Sequence, residues 1–475
     1  MTKMRKLSQQ DIVEESIRAE IYSVERLEEY AEFLSENLNV SDIKKTGKPL
    51  LKRMRENGDQ LFQAYQVLTG ALSEKETISP AAEWLVDNFH IIEDQLREIR
   101  NDLPKSYYEE LPKLSQGSLQ DFPRVYALAL ALVAHTDSHL EVETIRRFIR
   151  AFQKKISLSM GELWAVPITL RLVLLENMRR VSLRVVWDRQ LRKEADQLVD
   201  AIIENVHGPS RFQKLVNEIP RHCELPLEIQ CSFVAQMAAR LRDPEQEISA
   251  ATERLDAAIR HRGFSTADIV DFEHQHQAAN QITIANIIGS MRLISNIDWQ
   301  VFFESVSIVD ELLSQDPSSD YAKMDFASRD KYRHSIERIG KKTKTPEKEI
   351  ALKVLQLAKE GAEKHVGYFL VARGVLTLEK LLKYQPTLRE MLSRFFILHP
   401  TSTYLFSIIT TTFIMLAPGV SYAKWAGASS WQIFIVMLLG LIPCAELGVS
   451  MVNFLLAHLI KPRPLPKIDL TAGVP

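Results

Sequence analysis

Glu273, His274 and His276 fall within one tetrapeptide, and they are residue types that hold metals or move protons. A helix that binds zinc sets its histidines four residues apart so that both face one way. His274 and His276 are two apart and point to different helix faces, so the spacing argues against ligation. Glu83 and Asp87 do have the four-residue spacing that aligns two carboxylates. A metal or hydrolytic site would also need a second pair or a histidine at matching spacing, and none is present. His135 and Asp137 follow an apolar run, where a histidine more often caps helix-end carbonyls than acts as a base. Glu162 and Arg171 sit at the edge of and inside another apolar run, which reads as a buried ion pair or a helix-terminus contact. Glu446 interrupts a long apolar stretch, as an intramembrane acid or a headgroup-level residue would.

The densest charge lies in Asp316 to Ile339, DPSSDYAKMDFASRDKYRHSIERI, with four aspartates, one glutamate, three arginines, two lysines and a histidine. Asp316-Pro317-Ser318-Ser319-Asp320 is turn chemistry. Beyond it Met324, Phe326, Ile336 and Ile339 are apolar, while Asp325, Arg329, Asp330, Lys331 and Arg333 mix both signs. Mixed signs at helical spacing predict a solvated face or a network that docks another domain. No catalytic, cofactor-binding or metal-binding residue is assigned to this chain from its sequence.

The elements that carry these residues read as all-α. Ser79-Pro80 opens a helix with Glu83 in its first turn. Ala81, Trp84, Leu85, Phe89, Ile92, Leu96 and Ile99 recur on one face of it, as far as Asn101-Asp102-Leu103-Pro104. Pro123 opens a second helix, apolar from Val125 to Ala134. Leu163 to Leu175 is a third apolar run, interrupted by Pro167. Both runs are too short to span a bilayer and read as buried core helices. Long polar helices follow between about Arg189 and Arg260, and Gln281 to Ile308 is periodic again. Breaks fall at 316–319 and 340–346. Residues 1–70 read as N-terminal amphipathic helices, joined by a polar linker near Gly70, and 71–400 as a cytosolic helical domain.

The chain has 475 residues, a formal net charge of −2 and only 17 glycines. That balance gives no footprint for nucleic acid. The glycine count and the lack of G-x-G-x-x-G or G-x-x-x-x-G-K-[ST] argue against a nucleotide-binding α/β enzyme. Cys223, Cys231 and Cys444 have no paired spacing, so neither a disulfide framework nor a cysteine zinc site is expected. The N-terminus has no apolar run behind its basic start, so no cleavable signal peptide is expected there.

From Thr401 to Ala423 the sequence is uncharged, and from Trp425 to Ala445 it is uncharged again. Each run is long enough to cross a bilayer as a helix. Trp425 to Ile460 as one helix would run roughly 54 Å at about 1.5 Å per residue, so the sequence suggests a bend near Pro443 and an interfacial extension. Residues 401–460 thus read as two transmembrane helices. Arg373, Lys380, Lys383, Arg389 and Arg394 precede the pair, Lys461, Arg463 and Lys467 follow it, and the loop holds Lys424 alone. That asymmetry puts both ends in the cytoplasm. A membrane-linked sugar polymerase needs an Asp-x-Asp at a strand end and usually a Gln-x-x-Arg-Trp helix, and neither motif is found.

Several stretches together resemble the N-terminal region of bacterial cyclic β-1,2-glucan synthases. They are SPAAEWLVDNFHIIEDQLREIRNDLPKSYYEELPKL (Ser79 to Leu114), FPRVYALALALVAHTDS (Phe122 to Ser138), GELWAVPITLRLVLLENMRR (Gly161 to Arg180), EHQHQAANQITIANIIGSMRLISNIDW (Glu273 to Trp299), the charged stretch from Asp316, and HVGYFLVARG (His365 to Gly374). The resemblance covers roughly Ser79 to Pro475. It implies a multi-pass protein of the bacterial inner membrane whose helical region is cytosolic. It also implies a cytosolic glycosyltransferase domain, partner in cis or trans, that uses UDP-glucose and a divalent metal. Residues 461–475 are similar to the linker ahead of that domain, so donor, metal and catalytic residues are expected beyond Pro475 and none of them in this chain. The alternative reading is a stand-alone membrane-anchored helical scaffold without enzymatic activity.

Overall fold

The computed structural model describes residues 16–41, 50–102, 104–222, 227–241, 249–459 and 465–469. Cys223, Lys461 and Arg463, and most of the segment 461–475, lie outside them. The described residues are helical with no β-strand, as the sequence predicts, apart from three isolated bridges. They form two compact units that divide between Ile308 and Val309. The division falls inside the region that reads from sequence as one cytosolic domain.

The first unit contains α1 (Val24–Asn37), α2 (Leu50–Ser73), α3 (Pro80–Asp87), α4 (Phe89–Asp102), α5 (Lys105–Glu110), α6 (Arg124–His135), α7 (Val142–Gln153), α8 (Met160–Glu204), α9 (Pro209–Val216), α10 (Ile219–His222), α11 (Leu227–Leu241), α12 (Ser249–Arg260), α13 (Thr266–Asn296) and α14 (Trp299–Val306). Its axis is α8, 45 residues long, against which α2, α6, α11 and α13 pack. The separate apolar helix and later polar helix expected on either side of Arg189 are therefore one. Nothing between Leu175 and Glu204 is glycine or proline, so no residue there stops propagation. The first half is buried all round. Beyond Arg189 the helix turns only Leu191, Ala195, Val199 and Ile202 inward, into a core shared with Phe233, Met237, Leu255 and Ile269. A full capping box of Ser159 and Glu162 starts the helix. Pro167 interrupts its ladder without ending it, because core side chains surround it on every side.

A second correction concerns the helix after Ser79. Asn88 splits it into α3 and α4, with a backbone ψ of 15° and its side-chain amide donating to the Trp84 carbonyl at 2.9 Å. An asparagine competes well for backbone partners in this way. The kink leaves Trp84 exposed rather than on the buried face.

The second unit contains α15 (Ile308–Leu313, whose first residue closes the first unit), then α16 (Phe326–Thr343), α17 (Glu347–Glu360), α18 (Val366–Val371), α19 (Val375–Leu381), α20 (Leu388–Leu398), α21 (Pro400–Trp425) and α22 (Ser430–Leu459). The last two are long and apolar enough to cross a membrane. They pack side by side, joined by a short turn at Gly427, whose φ of +77° suits glycine. Gly448 lets the pair approach: a Cβ there would meet Thr412 Oγ1 at 3.0 Å. Tyr404 donates to Asn453 across the pair at 3.1 Å. α22 runs unbroken through Pro443.

Candidate functional site

The first unit holds a buried polar cluster where α8, α11 and α13 meet. Glu273, on α13, accepts from Ser232 Oγ at 2.8 Å, Cys231 Sγ at 3.0 Å, Gln277 at 2.6 Å and Arg192 at 3.1 Å. Asp188, on α8 and 3 % exposed, pairs with Arg184 at 2.9 Å and faces His276 Nδ1 at 3.8 Å. Burial, aided by the nearby Glu273 charge, raises the Asp188 carboxyl to about 6. Burial, with the Arg184 charge beside it, lowers His276 to about 4. Burial and Glu273 also push the Cys231 thiol up, so it is a poor nucleophile. Asp188 and Arg192 line a cavity of about 250 Å³ together with Gln277, Asn280 and the Ser79–Ala81 start of α3.

The arrangement can hold a proton near neutrality at Asp188 and hydrogen-bond a small polar molecule. It lacks the makings of a metal site: Glu273 spends its oxygens on four donors, and no cluster of three or more ligating side chains occurs among the described residues. His274 is exposed, on another face from His276. The sequence singled out Glu273 and His276 but not Asp188, Arg184 or the Cys231-Ser232 pair. The only local signal was a set of charged residues continuing along a helix that begins as a core element.

The second unit gathers the charged stretch around two aspartates. Asp316 accepts from His365 Nδ1 at 2.7 Å, Ser318 Oγ at 2.6 Å and the Val366 amide at 3.0 Å. Tyr332 meets the other ring nitrogen of His365 at 3.0 Å. Burial opposes ionisation of Asp316, but these donors outweigh it and hold the carboxyl down at about 2. Asp310 takes Arg333 and the Tyr321 hydroxyl, each at 2.6 Å. Arg333 is 0 % exposed. The solvated face expected for this stretch is thus corrected at Arg333, which is interior and paired with Asp310 of α15. Lys331 and His334 remain on the outside or partly so.

This stretch also receives the chain returning from α22. The Asp325 amide donates to the Lys467 carbonyl at 3.0 Å, the Lys467 amide to Ser328 Oγ at 2.8 Å, and the Asp469 amide to the Lys323 carbonyl at 2.8 Å. Met324 and Ile468 form an antiparallel bridge.

The remaining candidates separate. Glu83 and Asp87 are exposed on α3. His135 stacks on Tyr22 at 4.0 Å and contacts the Glu20 carbonyl at 2.7 Å, while Asp137 accepts from Thr283 at 2.6 Å and from Arg18. Together they fasten the segment 16–22 to α6 and α13. Glu162 forms a two-point buried pair with Arg124 at 2.8 and 2.7 Å, and Arg171 reaches Gln95 and Glu98, as the sequence suggests. Glu446 is exposed on α22.

No family model matches the chain. A curated protein of Rhizobium meliloti (strain 1021), cyclic beta-(1,2)-glucan synthase NdvB, is 33% identical over 442 residues. The aligned part is 89% of this chain but 15% of that protein. By sequence the chain is therefore a relative of one region of a cyclic beta-(1,2)-glucan synthase, spanning a small part of that enzyme's length.

Proposed function

We propose that this chain is the helical, membrane-anchoring region of a cyclic β-1,2-glucan synthase, which positions a cytosolic glycosyltransferase domain against the inner membrane. The observation that carries the reading is the return of residues 465–469 onto Lys323–Ser328. α21 departs from α20, which Arg394 and Glu379 hold to the same unit. Both ends of the apolar hairpin are thereby fixed to one helical body, which favours both ends lying on one side of the bilayer. The positive-inside rule names that side as cytoplasmic, independently of the packing. The sugar nucleotide and its metal, on this proposal, bind outside these 475 residues.

The test compares membranes carrying a full synthase with membranes carrying one trimmed to start after Pro400, assayed for UDP-glucose incorporation into cyclic glucan. Severe loss is the expected result, and full-rate synthesis by the trimmed protein overturns the proposal. An antibody against Ser79 to Leu114 adds a check. A native band several times larger than 54.3 kDa agrees with the proposal, and a band at that mass favours the free-standing scaffold.

A further inference from the structure

An amphipathic helix on a soluble body turns its apolar face in and its charges out. α20 does the reverse. Arg394 donates both ends of its guanidinium to the buried Glu379, at 2.7 Å each. Glu390 accepts from Lys342 at 2.7 Å and from Tyr384 at 3.0 Å. The helix is therefore bolted to its unit by its charged residues. Leu388, Met391, Phe395 and Leu398 recur at three- and four-residue steps along another side, and they are 77, 57, 56 and 63 % exposed. Four large apolar side chains in one stripe mark an interaction surface.

We infer that α20 lies in the surface of the bilayer, its apolar stripe sunk among the acyl chains, as a footing for the helical body. Continuity selects a lipid surface over a protein partner. His399, with ψ of 59°, breaks the helix after Leu398, and Pro400 at once begins α21, the first apolar span. The stripe thus starts where the chain enters the membrane. Phe395 and His399 stack edge-on at 5.6 Å at that turn. Lys380 and Lys383 are exposed just upstream, suited to anionic headgroups. The footing rests on the membrane reading of α21 and α22 but adds a third contact which that reading does not require.

Phe395→Trp is the test, in the full chain reconstituted in phosphatidylcholine vesicles with a minority of phosphatidylglycerol. The added emission is the difference from the parent, and lipids brominated near the headgroup end or near the chain end quench it. The expected result is a blue-shifted added emission, quenched most by the shallow bromines. Met391→Trp serves as the second probe should the first variant misfold. Trp425 and Trp431, at the hairpin turn, report separately on α21 and α22. If they are quenched while the added tryptophan stays red-shifted and unquenched, the footing is wrong and the spans stand. If none is quenched, the membrane reading falls and the footing with it.

Discussion

The Lys467 amide donates to Ser328 Oγ at 2.8 Å across 139 residues of sequence, and both apolar helices lie between the two. A hydrogen bond of this kind closes the hairpin onto its own body. Its loss should be local, because the Asp325 and Asp469 amide bonds on either side survive it. Ser328→Ala should cost about 1 kcal/mol at the clip, or roughly five-fold faster hydrogen exchange at the Lys467 amide. Exchange of the α16 interior should not change. Mass-spectrometric exchange in detergent reads both.

Gly367 has no room for a methyl group. A Cβ there would overlap the Tyr332 hydroxyl and His365 Nε2. Gly367→Ala should therefore force apart the Asp316–His365–Tyr332 chain and destabilise the second unit by about 1–3 kcal/mol. Gly289, on α13, has nothing within 4 Å of its would-be Cβ. Gly289→Ala should be neutral or stabilising by up to about 1 kcal/mol. Thermal unfolding of the two variants side by side tests the contrast.

Arg333 and Asp310 form a fully interior pair. Arg333→Ala leaves Asp310 with the Tyr321 hydroxyl alone among its two short partners, and should cost about 3–5 kcal/mol. Adding Asp310→Asn should recover part of that loss, since the uncompensated charge is gone. Denaturant midpoints of the single and double variants give the coupling.

Asp188 and His276 pull the pH dependence of the first unit in opposite directions. His276 drops from 6.5 to about 4 on folding, so the unfolded chain binds more protons and its contribution to stability grows as pH rises between those values. Asp188 climbs from 3.8 to about 6, so the folded chain binds more protons and its contribution falls over nearly the same range. The parent should show little net slope between about pH 4 and 6 from this pair. Asp188→Asn should unmask stability that rises with pH there. His276→Gln should unmask stability that falls. Equal slopes in the two variants would refute the assignment. Arg184, Arg192 and Glu273 pack against the same pair and are left in place in both variants.

Helix starts and the two long apolar helices were legible in the sequence because their causes are local. Ser79 with Pro80 and Glu83 marks a helix start within five residues, and the helix begins there. The apolar helices needed only length and absence of charge. The break at Asn88 was not legible, since the apolar face continues across it and only the asparagine's own hydrogen bonds decide the matter. The unbroken α8 was missed for a related reason: its change from all-round burial to one buried stripe looks in sequence like two helices.

The polar sites belong to tertiary structure. Asp188, Cys231 and Glu273 come from three helices, and no spacing rule links them. Likewise nothing in the pattern of Asp316 to Ile339 tells Arg333, which is buried, from Arg329, which is partly exposed. Amino-acid order by itself determined the helical class, the apolar hairpin and the family resemblance, each of which is a sum over many residues. Packing alone decided which charges went inside, because that choice depends on a partner supplied from far along the chain to offset the loss of water.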